Sequence, residues 1–101
     1  MASVADLVDE SALRALASDP SIWETGEELA GTGAVRLISS EPLRVLAEVD
    51  DGGGLAEVEL ASVNDVLIWT CTCPDGVEDR PCRHLVAAGL VTWESAPKRN
   101  S

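Results

Sequence analysis

The chain has 101 residues, a formal net charge of −11, no Phe or Tyr, and only three Trp residues. This length leaves room for one hydrophobic core, which must be built from Leu, Val, Ile and Ala. Eighteen acidic residues against seven basic ones argue against a general nucleic-acid-binding face, because such faces need a basic patch to contact phosphates.

The sequence also lacks the patterns of secretion and membrane insertion. No apolar run approaches the ~20 residues of a membrane span. The first residues, Met1 to Asp6, carry neither a basic segment nor an apolar one. We therefore expect a cytoplasmic protein in a reducing compartment, where cysteine thiolates are available for metal binding.

The first part of the chain has a helical pattern. Residues 3–18 are predicted to form one amphipathic helix with acidic residues at its N-terminal end. Its apolar stripe consists of Leu7, Val8, Leu13, Leu16 and Ala17. The sequence Asp19-Pro20 then interrupts the helix.

A second, shorter helix is predicted directly after this interruption. Its N-cap is either Ser21, as part of a capping box, or Asp19 with Pro20 in the first helical position. The sequence leaves both alternatives open. We expect the helix to end at Gly31 or Gly33, since glycine commonly follows the last helical residue.

From residue 34 the pattern changes from helical to alternating. Strands are predicted at residues 34–38, 43–49, 55–61 and 64–73, and the second and third each have one apolar face. The glycine-rich segment from Asp50 to Gly54 is interpreted as a hairpin turn. The pattern therefore indicates an antiparallel meander.

A C-terminal helix is predicted to follow the strands. Its apolar face consists of Leu85, Val86, Gly89, Leu90 and Trp93. Further apolar residues around the helix indicate a second contact surface, formed by either the N-terminal helices or a partner. Gly89 costs about 1 kcal/mol of helix propensity relative to Ala, and we interpret it as a point of close approach to the sheet.

All three cysteines and the only histidine lie between the last strand and this helix, as Cys71, Cys73, Cys82 and His84. The first two share one face of a strand, because side chains two residues apart project the same way. The second pair lies where a loop turns into the first helical turn. Three thiolates and one imidazole are the set that Zn²⁺ takes in closed tetrahedral sites, so we predict one structural zinc ion.

Other interpretations of this cluster fit less well. Three cysteines cannot all pair as disulfides within one chain, and no secretory signal accompanies them. A catalytic thiol needs an orienting partner, and a catalytic zinc needs an open coordination position; the sequence indicates neither. Buried thiols without metal would cluster so closely only by chance. The acidic residues of the loop, Asp75, Glu78 and Asp79, are interpreted as solvated. They would be rival metal ligands only if His84 does not bind.

The spacing Cys-x-Cys, eight intervening residues and Cys-x-His resembles the signature of the SWIM zinc finger. Cys73-Pro74 and the segment 81–88 look like the family's strand exit and helix entry. Residues 21–35 resemble the helix, glycine and strand that precede many bacterial members. The resemblance covers about residues 12–93 and implies a stand-alone SWIM domain of bacterial type.

These observations predict an α+β fold. A small antiparallel β-meander of three to four strands is expected to have N-terminal helices and a C-terminal helix, with the zinc site joining the hairpin end to the helix start. Residues 1–95 are predicted to form this single SWIM-like domain, with the zinc-binding part at 64–94. Residues 96–101 are predicted to be a disordered tail.

The resemblance implies a non-catalytic binding module, because SWIM domains are described as mediating protein–protein or nucleic-acid contacts. The acidic charge favours another protein with a basic surface as the partner. The alternative is a nucleic-acid-binding finger that acts with a Snf-type helicase or another DNA-processing partner, through Arg80 and Arg83. Relatives often carry basic and aromatic residues in the upstream segment, where this chain has Glu24, Glu27 and Glu28.

Overall fold

The structure, a computed structural model, describes residues 3–17, 19–50, 52, 54–73 and 82–95. Its elements are helices α1 (Val4–Leu7), α2 (Glu10–Leu16) and α3 (Pro20–Gly31), strands β1 (Val35–Glu41), β2 (Arg44–Asp50), β3 (Leu55–Val63) and β4 (Val66–Cys71), and helix α4 (Arg83–Ser95). The strands form one antiparallel sheet in chain order. The predicted α+β meander, with four strands and helices at both ends, is confirmed.

Three predicted features lie outside the described residues. They are the tail at 96–101, the loop at 74–81 with its acidic side chains and Arg80, and two residues of the turn between β2 and β3.

One face of the sheet supplies half of the hydrophobic core. The alternation predicted for β2 and β3 is observed, and the buried side chains of these strands are Val45, Ala47, Val49, Ala56, Val58 and Leu60. Cross-strand register aligns them, with Ala47 opposite Val58 and Val58 opposite Cys71. Leu43, which the alternation placed on this face, instead precedes β2 and is 43% exposed.

Several strand ends differ from the predicted ones. Strand β1 extends to Glu41 because its polar second half pairs with β2 through the backbone, past a bulge between Leu37 and Ser39. Strand β3 continues to Val63 and β4 begins at Val66, so the turn between them consists of Asn64 and Asp65, which were predicted to begin the last strand. These two residues have φ values of 52° and 62°. Two consecutive positive φ values are typical of the tight turns that fit the twist of a hairpin.

The helix predicted at residues 3–18 is divided into α1 and α2. Asp9 causes the division, because its side chain accepts a hydrogen bond of 2.8 Å from the amide of Ala12 and thereby caps α2. A capping box between Ser3 and Asp6 begins α1. Apolar residues on both sides of the break still pack into the core, and Val8 and Leu13 are fully buried.

Helix α3 begins as the second of the two alternatives predicted. Asp19 is the N-cap, its side chain accepts a 2.9 Å hydrogen bond from the amide of Ser21, and Pro20 occupies the first turn. The helix ends at Gly31. Within it, Trp23 packs against the core, and the guanidinium of Arg14 lies 4.7 Å from its ring centroid, within the range of a cation–π contact.

Helix α4 is the central element of the fold. Every residue from His84 to Leu90 is buried, because the sheet covers one side of α4 and the N-terminal helices cover the other. A Cβ at Gly26 of α3 would lie 2.5 Å from the Cβ of Val86, and one at Gly89 would lie 2.6 Å from Cδ2 of Leu13. The close approach predicted at Gly89 is therefore to α2, and its assignment to the sheet was wrong.

Within the described residues, no helix is both long and apolar enough to cross a bilayer.

The contact between α3 and α4 predicts different effects for two glycine substitutions in α3. Gly26→Ala should lower the free energy of unfolding by about 1–3 kcal/mol, because overpacking forces the helices apart. Gly31→Ala is the matched control, since nothing lies within 4 Å of a Cβ there, and it should cause no loss. Urea unfolding at saturating zinc measures both. Equal stability of the two variants would contradict the observed packing.

Candidate metal centre

The structure brings together the four residues that the sequence proposes as metal ligands. Strand β4 ends at Cys71, and Cys73 follows two residues later. Cys82 immediately precedes α4, and His84 is the second residue of that helix. One ligand atom from each of the four lies within 4.8 Å of all the others. A hairpin end and a helix start therefore meet at one point, as predicted.

Backbone pairing beyond the end of β4 holds the first two cysteines. The amide of Thr72 donates to the carbonyl of Glu57 at 3.1 Å, and the Thr72 hydroxyl accepts from the amide of Glu57 at 3.0 Å. These bonds continue the antiparallel ladder by one residue, which keeps Cys71 and Cys73 on the same side of the chain. Sequence reasoning missed this role of Thr72, because its partner is known only once the register is known.

The start of α4 holds the third cysteine. The carbonyl of Cys82 accepts from the amide of Val86 at 3.3 Å, and its sulfur accepts a hydrogen bond from the amide of Leu85. The sulfur thus takes the place of the side-chain oxygen at an ordinary N-cap. The positive end of the helix dipole lies at the same position and favours a thiolate there.

The distances within the cluster fit one tetrahedral zinc ion. The sulfurs of Cys71 and Cys73 are 3.4 Å apart, and the Cys71 sulfur lies 3.8 Å from Nδ1 of His84. Zn–S bonds of about 2.3 Å in a tetrahedron place two sulfurs about 3.8 Å apart. Cys71, Cys82 and His84 are buried, and Cys73 is half-buried. The Cys₃His cluster is therefore positioned to bind one metal ion, and its donor set is one that zinc prefers.

The thiols influence each other's protonation. A hydrogen bond with Cys71, together with burial, raises the pKa of Cys82 to about 12. The same hydrogen bond lowers the pKa of Cys71. Burial raises the pKa of this thiol, and a hydrogen bond from the amide of Cys73 lowers it. At neutral pH the Cys82 proton must leave before the sulfur can bind a metal, because the thiolate is the ligand.

Of the two arginines proposed as partner contacts, the structure places Arg83. Its side chain is exposed, and it lines a shallow depression of about 350 Å³ together with Cys73, His84 and Thr72. This depression opens directly beside the metal ligands. Arg80 lies in the loop outside the described residues.

Zinc affinity should depend on pH, since binding releases thiol protons. With the pKa of Cys82 at about 12, at least one proton leaves at neutral pH. The association constant should therefore rise at least about tenfold per pH unit between roughly pH 6 and 8 and fall correspondingly on acidification. Competition with a chromophoric chelator, corrected for that chelator's own protonation, measures this slope. A pH-independent affinity would exclude thiolate ligation.

Substitution of single ligands should remove most of the stability of the domain. Zinc binding is worth roughly 10–16 kcal/mol in finger peptides, which matches or exceeds the 5–15 kcal/mol stability typical of a whole domain. We expect Cys82→Ser and His84→Ala to abolish the cooperative thermal transition, as followed by circular dichroism. His84→Cys is the control, because a Cys₄ set also binds zinc. Near-unchanged melting of the first two variants would contradict a structural metal.

Comparison with known proteins agrees with this geometry. Residues 48–88 match the family model of the SWIM zinc finger, a segment that runs from β2 through the first turns of α4 and contains all four clustered residues. The match does not extend over the upstream helices, for which the sequence showed a weaker resemblance. No curated protein and no solved structure gives a significant match to the chain. On the family match and the Cys₃His cluster together, the chain carries a SWIM zinc finger at residues 48–88.

Proposed function

We propose that the chain is a non-catalytic module in which one zinc ion, bound by Cys71, Cys73, Cys82 and His84, stabilises a surface that binds another protein. The closed ligand set supports a structural metal, since four protein ligands leave no open position for water or substrate. When bound, the zinc ion supplies a redox-inert crosslink between strand and helix. Residues 1–95 act as one domain in this proposal.

The partner is proposed to be a protein with a basic surface. The main support is the formal net charge of −11 on a chain of 101 residues. A charge of this size repels nucleic acid and attracts basic proteins over distances of about 8 Å at physiological salt. It also accelerates association with such partners more than it strengthens the final contact. The proposed location is cytoplasmic.

Nucleic-acid binding is the second candidate and has one observation in its favour. Arg83 is exposed beside the metal cluster and borders its depression, where it would reach a phosphate group. Arg80 would add to this charge. In this alternative the finger acts with a Snf-type helicase or another DNA-processing partner.

Direct binding measurements distinguish the two candidates. In its own cells the tagged protein should crosslink to proteins with basic surfaces, and a purified pair should bind with an affinity that falls as salt is raised. Single- and double-stranded 20-mers of DNA should neither bind nor compete. The zinc-loaded protein must be used in every arm.

Tight DNA binding would instead support the second candidate. In that case log K should fall linearly with log salt concentration, with a slope that reports the number of phosphates contacted. Arg83→Ala should then weaken DNA binding and reduce this slope. Arg36→Ala is the control, because Arg36 is exposed on β1, and it should leave both the affinity and the slope unchanged. This outcome would overturn the proposal of a basic protein partner.

A further inference from the structure

Among the described residues, the helices pack on one side of the sheet, and none of them covers the opposite side. Core side chains of β2 and β3 alternate with side chains that point away from the helices. We call this second side the outer face. Seven of its described residues are apolar. Leu55 lies apart at the start of β3, opposite Asp50, and the other six form what we term the outer stripe: Ile38, Leu46, Ala61, Val63, Val66 and Ile68.

Strand register makes the outer stripe continuous across all four strands. Ile38 lies in the β1 bulge, next to the pair Ser39–Leu46, and a bulge places two residues opposite one. On the other side Ala61 faces Ile68, and Val63 faces Val66. Leu46 and Ala61 are diagonal neighbours, because Leu46 pairs with Glu59, within reach of each other's side chains.

The outer stripe is exposed to solvent. Exposed fractions are 54% for Ile38, 47% for Val63, 59% for Val66 and 49% for Ile68. Single exposed apolar residues are normal on a protein surface, but contiguous apolar patches mark interaction sites. Antiparallel sheets that face water usually carry polar residues on that side. The composition of this face therefore indicates that something covers it.

Acidic residues surround the outer stripe. The charged side chains of the outer face are Glu41, Glu48, Asp50, Glu57 and Glu59, against Arg36 and Arg44. Arg44 forms an ion pair with Glu59, and Arg36 lies opposite Glu48 in the register. The remaining charge of the face is negative, in agreement with the charge of the whole chain. An occupant therefore needs apolar side chains in the middle and positive charge at its edges.

The dimensions of this face limit the occupant to a single element. Four strands at 4.7–4.9 Å spacing and about six paired residues at 3.3 Å each give a surface of roughly 20 by 20 Å. One α-helix, about 10–12 Å wide, fills the diagonal of such a surface. A second copy of this chain would bring like charges together at −11 each, which disfavours a dimer through this face. DNA is disfavoured for the same reason.

We propose that the outer face of the sheet is a docking site for an amphipathic helix of a partner protein, with a leucine-type apolar stripe flanked by Lys or Arg. This inference rests on the proposed protein-binding function and assigns it a surface. The helices of this chain pack against the inner side of the sheet, and the partner helix packs against its outer side as a further layer.

A model peptide tests this assignment directly. The probe is an 18-residue helical peptide with leucines on one face and lysines on the other, titrated into zinc-loaded ¹⁵N-labelled protein. Two control peptides have the same pattern with glutamates for lysines, and the same composition in scrambled order. We expect the patterned leucine–lysine peptide to bind and to shift amide resonances of β1–β4, with neither control binding comparably.

Two protein variants localise the contact. Ile38→Thr combined with Ile68→Thr should weaken peptide binding by about tenfold or more, since both apolar contacts are lost. Thr retains β propensity, so zinc content and circular dichroism should stay unchanged. Trp93→Gln is the matched control, because Trp93 is a 41% exposed apolar residue on α4, on the other side of the sheet. The affinity of Trp93→Gln for the patterned peptide should stay within about twofold of that of the unsubstituted protein.

Several outcomes would overturn the docking site. They are resonance shifts centred on α4 or the N-terminal helices, equal binding of the scrambled peptide, an unchanged affinity of the double variant, and concentration-dependent dimerisation that the double variant abolishes. If a purified basic partner binds while the outer face stays unperturbed, the docking site fails and the protein-binding function stands. If neither that partner nor the peptide binds, both proposals fail.

Discussion

The meeting of a strand end and a helix start at one cluster of metal ligands is the constraint on which the rest of this structure depends. Cys71 ends β4 and Cys73 follows it, whereas Cys82 immediately precedes α4 and His84 lies in its first turn. A zinc ion at this point joins the two main layers of a domain whose core contains no Phe or Tyr. Small aliphatic cores supply limited stability, so a crosslink between the layers has a large effect.

Helix α4 transmits this constraint to the remaining elements. It begins at the metal centre, and its buried residues then contact the sheet, α2 and α3 in turn. Gly26 and Gly89 allow the close approach of the neighbouring helices, as their contacts with Val86 and Leu13 indicate. Ordering the first turn of α4 at the metal therefore fixes the surfaces on which the N-terminal helices pack. Among the described residues, no helix covers the outer face of the sheet, where we propose that a partner docks.

Local residue patterns made the metal site and the meander predictable from the sequence. The ligand spacing, the alternation in β2 and β3, and the position of Cys82 and His84 at a helix start all depend on short-range geometry. Features that depend on tertiary contacts were not predictable. The break at Asp9 occurs because its side chain competes with continuation of the helix. The partner of Gly89 depends on which face of a helix that is apolar nearly all round meets the sheet. The role of Thr72 depends on strand register. The outer stripe also needed the structure, since alternation alone does not tell which face the helices cover.

Native mass spectrometry before and after a strong chelator, with circular dichroism on the same samples, tests the central claim most directly. The account predicts one zinc ion per chain and loss of regular structure when the ion is removed, with recovery on its return. A stable, fully folded protein that carries no metal under the same conditions would contradict it. The four clustered residues would then be a packing arrangement of thiols and an imidazole, and the stability of the fold would have to come from the aliphatic core alone.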